Sequence, residues 1–317
     1  LIFFFLLMTK FYILYIFEIS NINYFNVTIP FLAAKNNNYE IVNFLLTKIG
    51  NTINTRLFAN CVKLKKIDIP DNITIIDEAA FEGCSSLAKI SFAENSKVLI
   101  IGNSVFSGCS SLKTITIPST VTKIGDKSFS RCLKLEEIFI PLTIKSIGSS
   151  AFYRCSLTKI TIPNITKIES STFSGCSSLE KITIPSSVTE IGDNAFEECV
   201  KLMEIVIPSS VQSIGNWAFS GCTSLTEIKI QSSIKEIGSS VFSGCTSLKT
   251  ITIPSSVTSI GSSAFSQCSS IESITIPSSV ISIGSSSFNK CIKLKEIVIP
   301  SSVKIISNWA FYGCKEL

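Results

Sequence analysis

The chain has 317 residues, of which 45% are hydrophobic and 16% charged, and its formal net charge is +5. This mild charge comes without a run of Lys and Arg or a regular basic stripe, so the sequence does not predict a nucleic-acid-binding surface. The chain contains no histidine, which excludes Ser-His-Asp and Cys-His nucleophile systems and the common zinc sites.

Residues 1–23 form an apolar segment that carries Lys10. Its most apolar part, residues 1–17, is shorter than the ~20 residues that a membrane-spanning helix needs. A signal peptide would begin with basic residues and end at small ones, and neither feature is clear. The segment is interpreted as the helix of a degenerate repeat, as a membrane or signal segment, or as the start of a fragment. Membrane association through residues 1–17 therefore stays open.

Residues 24–55 contain a run from Thr28 to Lys35 that reads Thr-Ile-Pro-Phe-Leu-Ala-Ala-Lys. The later run Glu-Ile-Val-Asn-Phe-Leu-Leu, which starts at Glu40, has its apolar residues on one helical face. Together they resemble an ankyrin repeat, which opens with Thr-Pro-Leu-His-x-Ala-Ala, except that Ile29 is extra and Phe31 stands in place of His. One such repeat is marginal alone, so the resemblance implies a small α-helical cap on the following domain.

Residues 56–317 repeat the frame C-x-x-L-x-x-I-x-I-P-x-x-V-x-x-I-G-x-x-x-F-x-x-C. All twelve cysteines lie in it: Cys61, Cys84, Cys109, Cys132, Cys155, Cys176, Cys199, Cys222, Cys245, Cys268, Cys291 and Cys314. Their spacings are 23, 25, 23, 23, 21 and then six times 23, because the unit from Cys84 is longer and the unit from Cys155 shorter. A fixed period of this length predicts a leucine-rich-repeat solenoid of about eleven turns.

Each unit predicts three local structures. The Ile-x-Ile alternation predicts a short strand with both isoleucines inward, and the proline after it, as in Pro185, should end the strand because it has no N–H. Val-x-x-Ile-Gly predicts a second extended segment, and Ser-Ser-Ala-Phe-Ser-Gly-Cys predicts a helical or 3-10 turn with its Phe inward. Glycines recur after the second Ile and before Cys, which predicts backbone angles that other residues avoid.

The unit that runs Leu248-Lys-Thr-Ile-Thr-Ile-Pro254, then Val257-Thr-Ser-Ile-Gly261 and Ala264-Phe265, resembles the BspA-like leucine-rich repeats. The resemblance covers roughly residues 58–317 and implies a solenoid of short parallel β-strands joined by short turns. Proteins of that family, from bacteria and from protists such as Trichomonas and Entamoeba, are described as surface antigens. Some are implicated in adhesion to host proteins, so the resemblance implies a surface antigen with a protein partner.

The even number of cysteines is read as one inward thiol per turn, acting as a small apolar residue. Disulfides between neighbouring turns are an alternative with poor geometry, because the Cβ vectors would run parallel. A metal site is a further alternative, but no C-x-x-C occurs and a linear column does not offer a tetrahedral ligand set. No cofactor is expected.

The middle residue of each Ile-x-Ile strand is expected to point outward, and solenoids bind partners on such extended faces. The candidate partner-binding face consists of Thr116, Phe139, Thr161, Thr183, Val206, Lys229, Thr252, Thr275 and Val298. The alternative is that these residues only favour strands and solubility. Trp217 and Trp309 replace serine in Asn-Trp-Ala-Phe and are candidate anchors, unless they pack on the neighbouring turn.

These features predict a non-catalytic protein-binding scaffold. The family resemblance implies an adhesin-like antigen, secreted or at the cell surface, with a host or extracellular matrix protein as partner. The alternative is an intracellular scaffold, cytoplasmic if residues 1–17 are an ankyrin helix; an enzyme is a remote alternative because the carboxylates scatter over exposed positions. Asn26, Asn72 and Asn164 begin Asn-x-Thr triplets whose glycosylation would favour export.

Overall fold

The computed structural model describes residues 30–317, so the expectations for residues 1–23 lie outside it. The described chain begins with helical residues 30–35 (α1), followed by helix α2 at Tyr39–Leu46. The side chain of Asn38 caps α2 by accepting a hydrogen bond from the N–H of Ile41 at 3.3 Å. The apolar face predicted for this run is buried and consists of Ile41, Val42, Leu45 and Leu46.

Polar side chains attach α2 to the first units of the array. Asn43 Nδ2 donates to Asp68 Oδ2 at 2.9 Å, and Asn43 Oδ1 accepts from the N–H of Asp68 at 3.2 Å. Asn72 Nδ2 lies 2.9–3.2 Å from three carbonyl oxygens at the end of α2, those of Leu46, Ile49 and Gly50. A helix end leaves such carbonyls without intrahelical partners, so Asn72 satisfies them. The helical segment thus docks on the first units, while its ankyrin assignment stays a prediction.

Two series of short strands alternate along the rest of the chain. The Ile-x-Ile strands are β2 (Lys66–Ile69), β4 (Lys89–Phe92), β6 (Thr114–Thr116), β8 (Glu137–Phe139), β10 (Lys159–Thr161), β12 (Lys181–Thr183), β14 (Glu204–Ile207), β16 (Glu227–Ile230), β18 (Thr250–Ile251), β20 (Ser273–Thr275) and β22 (Glu296–Val298). The Val-x-x-Ile strands are β1 (Thr52–Ile53), β3 (Ile75–Ile76), β5 (Ile100–Ile101), β7 (Lys123–Ile124), β9 (Ser146–Ile147), β11 (Lys167–Ile168), β13 (Glu190–Ile191), β15 (Ser213–Ile214), β17 (Glu236–Ile237), β19 (Ser259–Ile260), β21 (Ser282–Ile283) and β23 (Ile305–Ile306).

Strands of one series pair only with each other, in parallel and in register at the unit spacing. The Val-x-x-Ile strands form sheets in the orders β1-β3-β5-β7-β9, β11-β13-β15 and β17-β19-β21-β23. The Ile-x-Ile strands form the smaller sheets β2-β4, β6-β8, β10-β12, β14-β16-β18 and β20-β22. Each coil therefore places one strand on each of two faces, which confirms the predicted solenoid of short parallel strands.

The alternation of side chains in the Ile-x-Ile strands matches the predicted burial. In β14, Ile205 and Ile207 are buried while Glu204 and Val206 are exposed. The strand then stops, because the next residue is Pro208, which has no N–H to donate. The two extra residues of the unit from Cys84 fall in the loop between β4 and β5, so both strands keep their register with the neighbouring units.

Tight turns join the second strand of each unit to the next cysteine. Their backbone N–H groups donate to the carbonyl three residues earlier, as Ser220 does to Trp217 at 3.0 Å and Cys222 to Phe219 at 3.2 Å. Each such bond closes a tight turn, and the left-handed backbones of Trp217 and Gly221 keep the segment from being a regular 3-10 helix. The N–H of Phe219 donates to the next coil instead, to the carbonyl of Val241 at 2.9 Å. The turns are thereby bonded both within and between coils.

The recurring glycines belong to two classes, which partly corrects the expectation from the sequence. Gly221, before Cys, has the predicted left-handed backbone with φ 72°, although Glu198 and Lys290 adopt the same region at this position. Gly215, after the second Ile, does not. A Cβ on Gly215 would lie 2.4 Å from the backbone nitrogen of Asp193 in the preceding coil. At Gly215 the coils therefore approach too closely for a side chain, whereas Asp77, Glu169 and Ser307 occupy the equivalent position in other units.

Two ladders run through the core. Twelve stacked phenylalanines have centroid separations of 5.1–5.8 Å: Phe58, Phe81, Phe106, Phe129, Phe152, Phe173, Phe196, Phe219, Phe242, Phe265, Phe288 and Phe311. The cysteine thiols form the second ladder, in which each Sγ from Cys84 onward donates to the phenylalanine carbonyl of the preceding coil, as Cys222 does to Phe196 at 3.2 Å. A third contact, from the hydroxyl of Ser210 to the carbonyl of Val188 at 2.7 Å, recurs in other units.

Candidate binding surfaces

The predicted partner-binding face is one column of exposed positions on the Ile-x-Ile side of the solenoid. Parallel register places Thr116 opposite Phe139, and Val206 opposite Lys229. All members of the column are exposed: Thr116, Phe139, Thr161, Thr183, Val206, Lys229, Thr252, Thr275 and Val298. Most of the column is threonine, whose methyl and hydroxyl groups suit an exposed strand surface.

Three members of this column expose apolar side chains. Phe139 is 53% exposed, Val206 45% and Val298 64%. Threonine occupies the same position in other units and keeps the strand, so neither folding nor core packing requires these apolar groups. These three residues are therefore the members of the column whose apolar side chains are not explained by the fold of the repeat.

The two tryptophans lie on another part of the coil. Trp217 is 43% exposed and Trp309 70%, and both have left-handed backbones in the turn that precedes the cysteine, with φ 55° and 58°. They occupy the same position four units apart, about 19 Å along the axis at ~4.8 Å per coil. Because one set lies on turns and the other on strands, the structure does not place the candidate anchors in the predicted strand column.

The twelve cysteines are free thiols, and all except the half-buried Cys314 are buried. Burial raises the pKa of Cys132, Cys176 and Cys222 to about 12, because the apolar core disfavours the thiolate. Thiols held in this protonated form are poor nucleophiles and poor metal ligands. Within residues 30–317, no group of three or more His, Cys, Asp or Glu side chains is placed to hold a metal ion.

Charged residues on the Ile-x-Ile side are paired over much of its length. The pairs join neighbouring coils, as Lys159 and Glu137 do at 3.3 Å, and Lys181 and Glu204 at 3.2 Å. Such exposed pairs stabilise a fold by about 1 kcal/mol or less. The first coils differ: in the described part of the chain, no carboxylate lies within 4.0 Å of four ammonium groups, those of Lys65, Lys66, Lys89 and Lys113.

A groove with a volume of about 680 Å³ opens beside two of these lysines, between the coils of β4 and β6. Lys89, Phe92 and Glu94 line it on one side, and Lys113 and Thr116 on the other. Sequence reasoning did not single out this site. The available signal was the two-residue insertion in the unit from Cys84, because the groove lies against the longer loop that this insertion creates.

The asparagines of the three Asn-x-Thr triplets differ in accessibility. Asn164 is exposed, whereas the amide of Asn72 is engaged at the end of α2, and Asn26 lies outside the described residues. Residues 30–317 contain no helix with the length and apolar character required to cross a bilayer. The alternatives for residues 1–17 lie outside the described chain and stay open.

Comparison with known proteins agrees with this architecture. The family described as BspA type leucine-rich repeat region, six copies, matches residues 15–132, 51–171, 99–214 and 189–317. No curated protein sequence matches the chain significantly.

Several solved structures are similar. A leucine rich cell surface protein from Faecalibacterium prausnitzii is 32% identical, with a TM-score of 0.50, and the match covers 78% of this chain and 82% of that one. A leucine-rich repeat protein from Eubacterium ventriosum is 25% identical, with a TM-score of 0.54 and coverage of 83% and 80%. The family matches span more than half of the sequence, and the Faecalibacterium match spans most of both chains. The chain therefore belongs to the BspA-type leucine-rich-repeat family.

Proposed function

We propose that this protein is a non-catalytic protein-binding scaffold that acts at the cell surface as an adhesin-like antigen. The observation that carries the proposal is the exposed column on the Ile-x-Ile side, in which Phe139, Val206 and Val298 replace threonine. Exposed apolar side chains on a rigid surface can contribute to a protein interface, since their burial against a partner removes apolar area from water.

The rigidity of the face supports the same proposal. Every column residue except Thr252 lies in a strand, and most follow a buried isoleucine, as Phe139 follows Ile138, whereas Ile297 before Val298 is half-buried. The position of each strand is fixed by the adjacent coil. A surface that is already ordered loses little conformational entropy on binding. The leucine rich protein of Faecalibacterium prausnitzii is described as a cell surface protein, and its similarity supports a surface location for this chain.

The first experiment tests location and binding separately. Intact cells that make the full-length protein are treated with a membrane-impermeant labelling reagent, and mass spectrometry reads the N-terminus and Asn164. We expect labelling, together with a processed N-terminus or a glycan on Asn164. An unlabelled protein with an unprocessed N-terminus and a bare Asn164 would overturn the surface location.

The second experiment measures binding of the purified protein to a panel of extracellular matrix proteins. Replacing Phe139, Val206 and Val298 together with threonine is expected to weaken binding by about tenfold or more, because each change removes one apolar contact. A matched control replaces the exposed Leu133 and Ile292 with threonine, since these residues lie beside the cysteines rather than in the column. Equal binding by the triple variant and the native chain would refute the role of the column.

A second candidate function is an intracellular scaffold in which an ankyrin-like segment and the solenoid bind a protein together. The helical residues 30–35 and α2 favour it, because two short helices joined by a brief turn are what the ankyrin resemblance implies for residues 24–55. The labelling experiment separates the two functions: an unlabelled protein supports the intracellular one.

A further inference from the structure

The groove between the coils of β4 and β6 combines three independent features. The first is shape: the longer loop of the unit from Cys84 forms one wall, with Phe92 and Ala93 beside Pro118 of the next coil. Its volume of about 680 Å³ lies within the range of pockets that hold small ligands or short peptide segments. The insertion that builds this wall occurs in one unit of the array.

The second feature is the backbone, whose pairing is interrupted here as it also is between β8 and β10, between β12 and β14, and between β18 and β20. Alternate residues of a strand bond to opposite neighbours, and Lys89 and Ala93 donate to the coil of β2 at 3.3 and 3.0 Å. Ile90 and Phe92 therefore direct their N–H and C=O groups towards β6. No hydrogen bond joins β4 to β6 within residues 30–317. Backbone groups of this kind are donors and acceptors that a ligand can satisfy.

The third feature is charge. Lys89 and Lys113 line the groove, and neither has a carboxylate within 4.0 Å among the described residues. Lys66 lies directly opposite Lys89 across β2 and β4, an arrangement of like charges that destabilises a sheet in the absence of a counter-charge. The Lys66 ammonium instead lies 3.6 Å from the centre of the Tyr39 ring, which offers only a weak substitute.

We propose that this groove binds an extended acidic peptide segment of a partner protein. Its carboxylates would meet Lys89 and Lys113, while its main chain would hydrogen-bond to the unpartnered backbone groups of β4 and β6. The inference rests on the proposed protein-binding function and adds to it the chemistry and position of one ligand. Glu94 at the rim repels carboxylates, so the acidic residues of the ligand lie on the lysine side of the groove.

The mixture of groups favours a peptide over a sulfated glycan. A glycan would be held mainly by the cations and would be opposed by Glu94, and it offers no apolar side chain to pack on Phe92 and Pro118. An extended peptide offers N–H donors, C=O acceptors, apolar side chains and carboxylates at once. Peptides bound along strands in other proteins gain affinity from main-chain hydrogen bonds and specificity from side-chain pockets.

The test begins with selection of a displayed library of random peptides on the full-length purified chain. We expect enrichment of Asp and Glu among the bound sequences. The tightest peptide, labelled with a fluorophore, is then titrated by anisotropy against three variants. Replacing both lysines, Lys89→Gln with Lys113→Gln, is expected to weaken binding by about tenfold, and Glu94→Gln to tighten it by about twofold. The control pair Lys235→Gln with Lys249→Gln removes the same charge elsewhere and should leave the affinity unchanged.

Three results would overturn the proposal. One is a selected peptide set without acidic enrichment; another is an equal loss of affinity in the control pair. The third is binding of a heparin oligosaccharide through Lys89 and Lys113 in the absence of peptide binding, which would assign the groove to glycans. The threonine variant at Phe139, Val206 and Val298 keeps both lysines, so its binding to matrix proteins and its binding to the peptide can be compared. A loss of one binding activity with the other intact shows which of the two proposals has failed.

Discussion

Two glycines in one coil provide a direct test of how closely the coils approach. Gly215→Ala and Gly221→Ala add the same methyl group six residues apart. At Gly215 the new Cβ would lie 2.4 Å from the backbone nitrogen of Asp193 and 2.5 Å from the carbonyl carbon of Gly192. At Gly221 the nearest atom lies at 3.5 Å, an ordinary contact, and only the backbone with φ 72° is unfavourable.

The expected magnitudes follow from these two situations. Alanine at Gly221 must adopt a left-handed backbone, which costs about 1 kcal/mol and is already tolerated by Glu198 at the equivalent position. Alanine at Gly215 must push apart two backbones that neighbouring coils hold in register, so the loss of unfolding free energy should reach about 3 kcal/mol, the upper end for overpacking. The prediction is a difference of about 2 kcal/mol between the two variants.

Trp217 lies between the two glycines and reports on this coil directly. With Trp309→Phe as the common background, Trp217 is the remaining tryptophan of the chain, and its fluorescence is followed during urea unfolding. Using one coil and one reporter keeps both variants in the same cooperative segment, which matters because repeat arrays need not unfold in two states. Equal stability losses, or a Gly215→Ala variant as stable as the parent, would refute the close-approach explanation.

Three further predictions follow from the ladders and the cap. Phe196→Ala should lower the unfolding free energy by about 3–5 kcal/mol, because the ring of Phe196 is fully buried between two stacked neighbours, and Phe196→Leu should lower it by clearly less. Urea titration of both variants checks this, and equal losses would contradict the prediction. Raising the pH above 9.0, the ordinary pKa of Cys, should lower the melting temperature, because the unfolded chain releases thiol protons that the folded chain retains up to about pH 12 at Cys132 and Cys176. The unfolding free energy should fall by up to about 1.4 kcal/mol per pH unit for each thiol. An unchanged melting temperature near pH 11 would contradict this prediction. Asn72→Ala should increase hydrogen exchange in α2, since three carbonyl contacts are lost, whereas Asn164→Ala should not; protection unchanged in both would contradict the cap.

Periodicity alone predicted the strands, their inward isoleucines and the solenoid, because these depend on local alternation and on a repeat that stacks on itself. Contacts between coils were less predictable. The cysteine ladder is an example of a contact that could not be predicted. A small apolar residue would fill the same space, but the thiol also donates to the phenylalanine carbonyl of the preceding coil, as Cys222 does to Phe196. The frame shows the residue type, and only the stacking shows the acceptor.

The candidate site shows the same limit. The exposed column could be predicted from strand alternation, since the middle residue of Ile-x-Ile must point away from the core. The groove could not, because it depends on where a longer loop lies after the coils have stacked and on which lysines remain without carboxylate partners. Lys66, Lys89 and Lys113 do not stand out in the sequence, because other units carry lysine at the same positions and pair it with a glutamate of a neighbouring coil.

The register between coils also determines how the array can change in length. Thiol, hydroxyl and backbone contacts join residues at offsets set by the unit, such as the 26 residues between Cys222 and Phe196 and the 22 between Ser210 and Val188. Removing one whole unit of 23 residues reconnects every such contact to an equivalent atom. Recombination between neighbouring units is therefore a route by which genes for such arrays gain or lose whole coils, and with them segments of binding surface, without disturbing the fold.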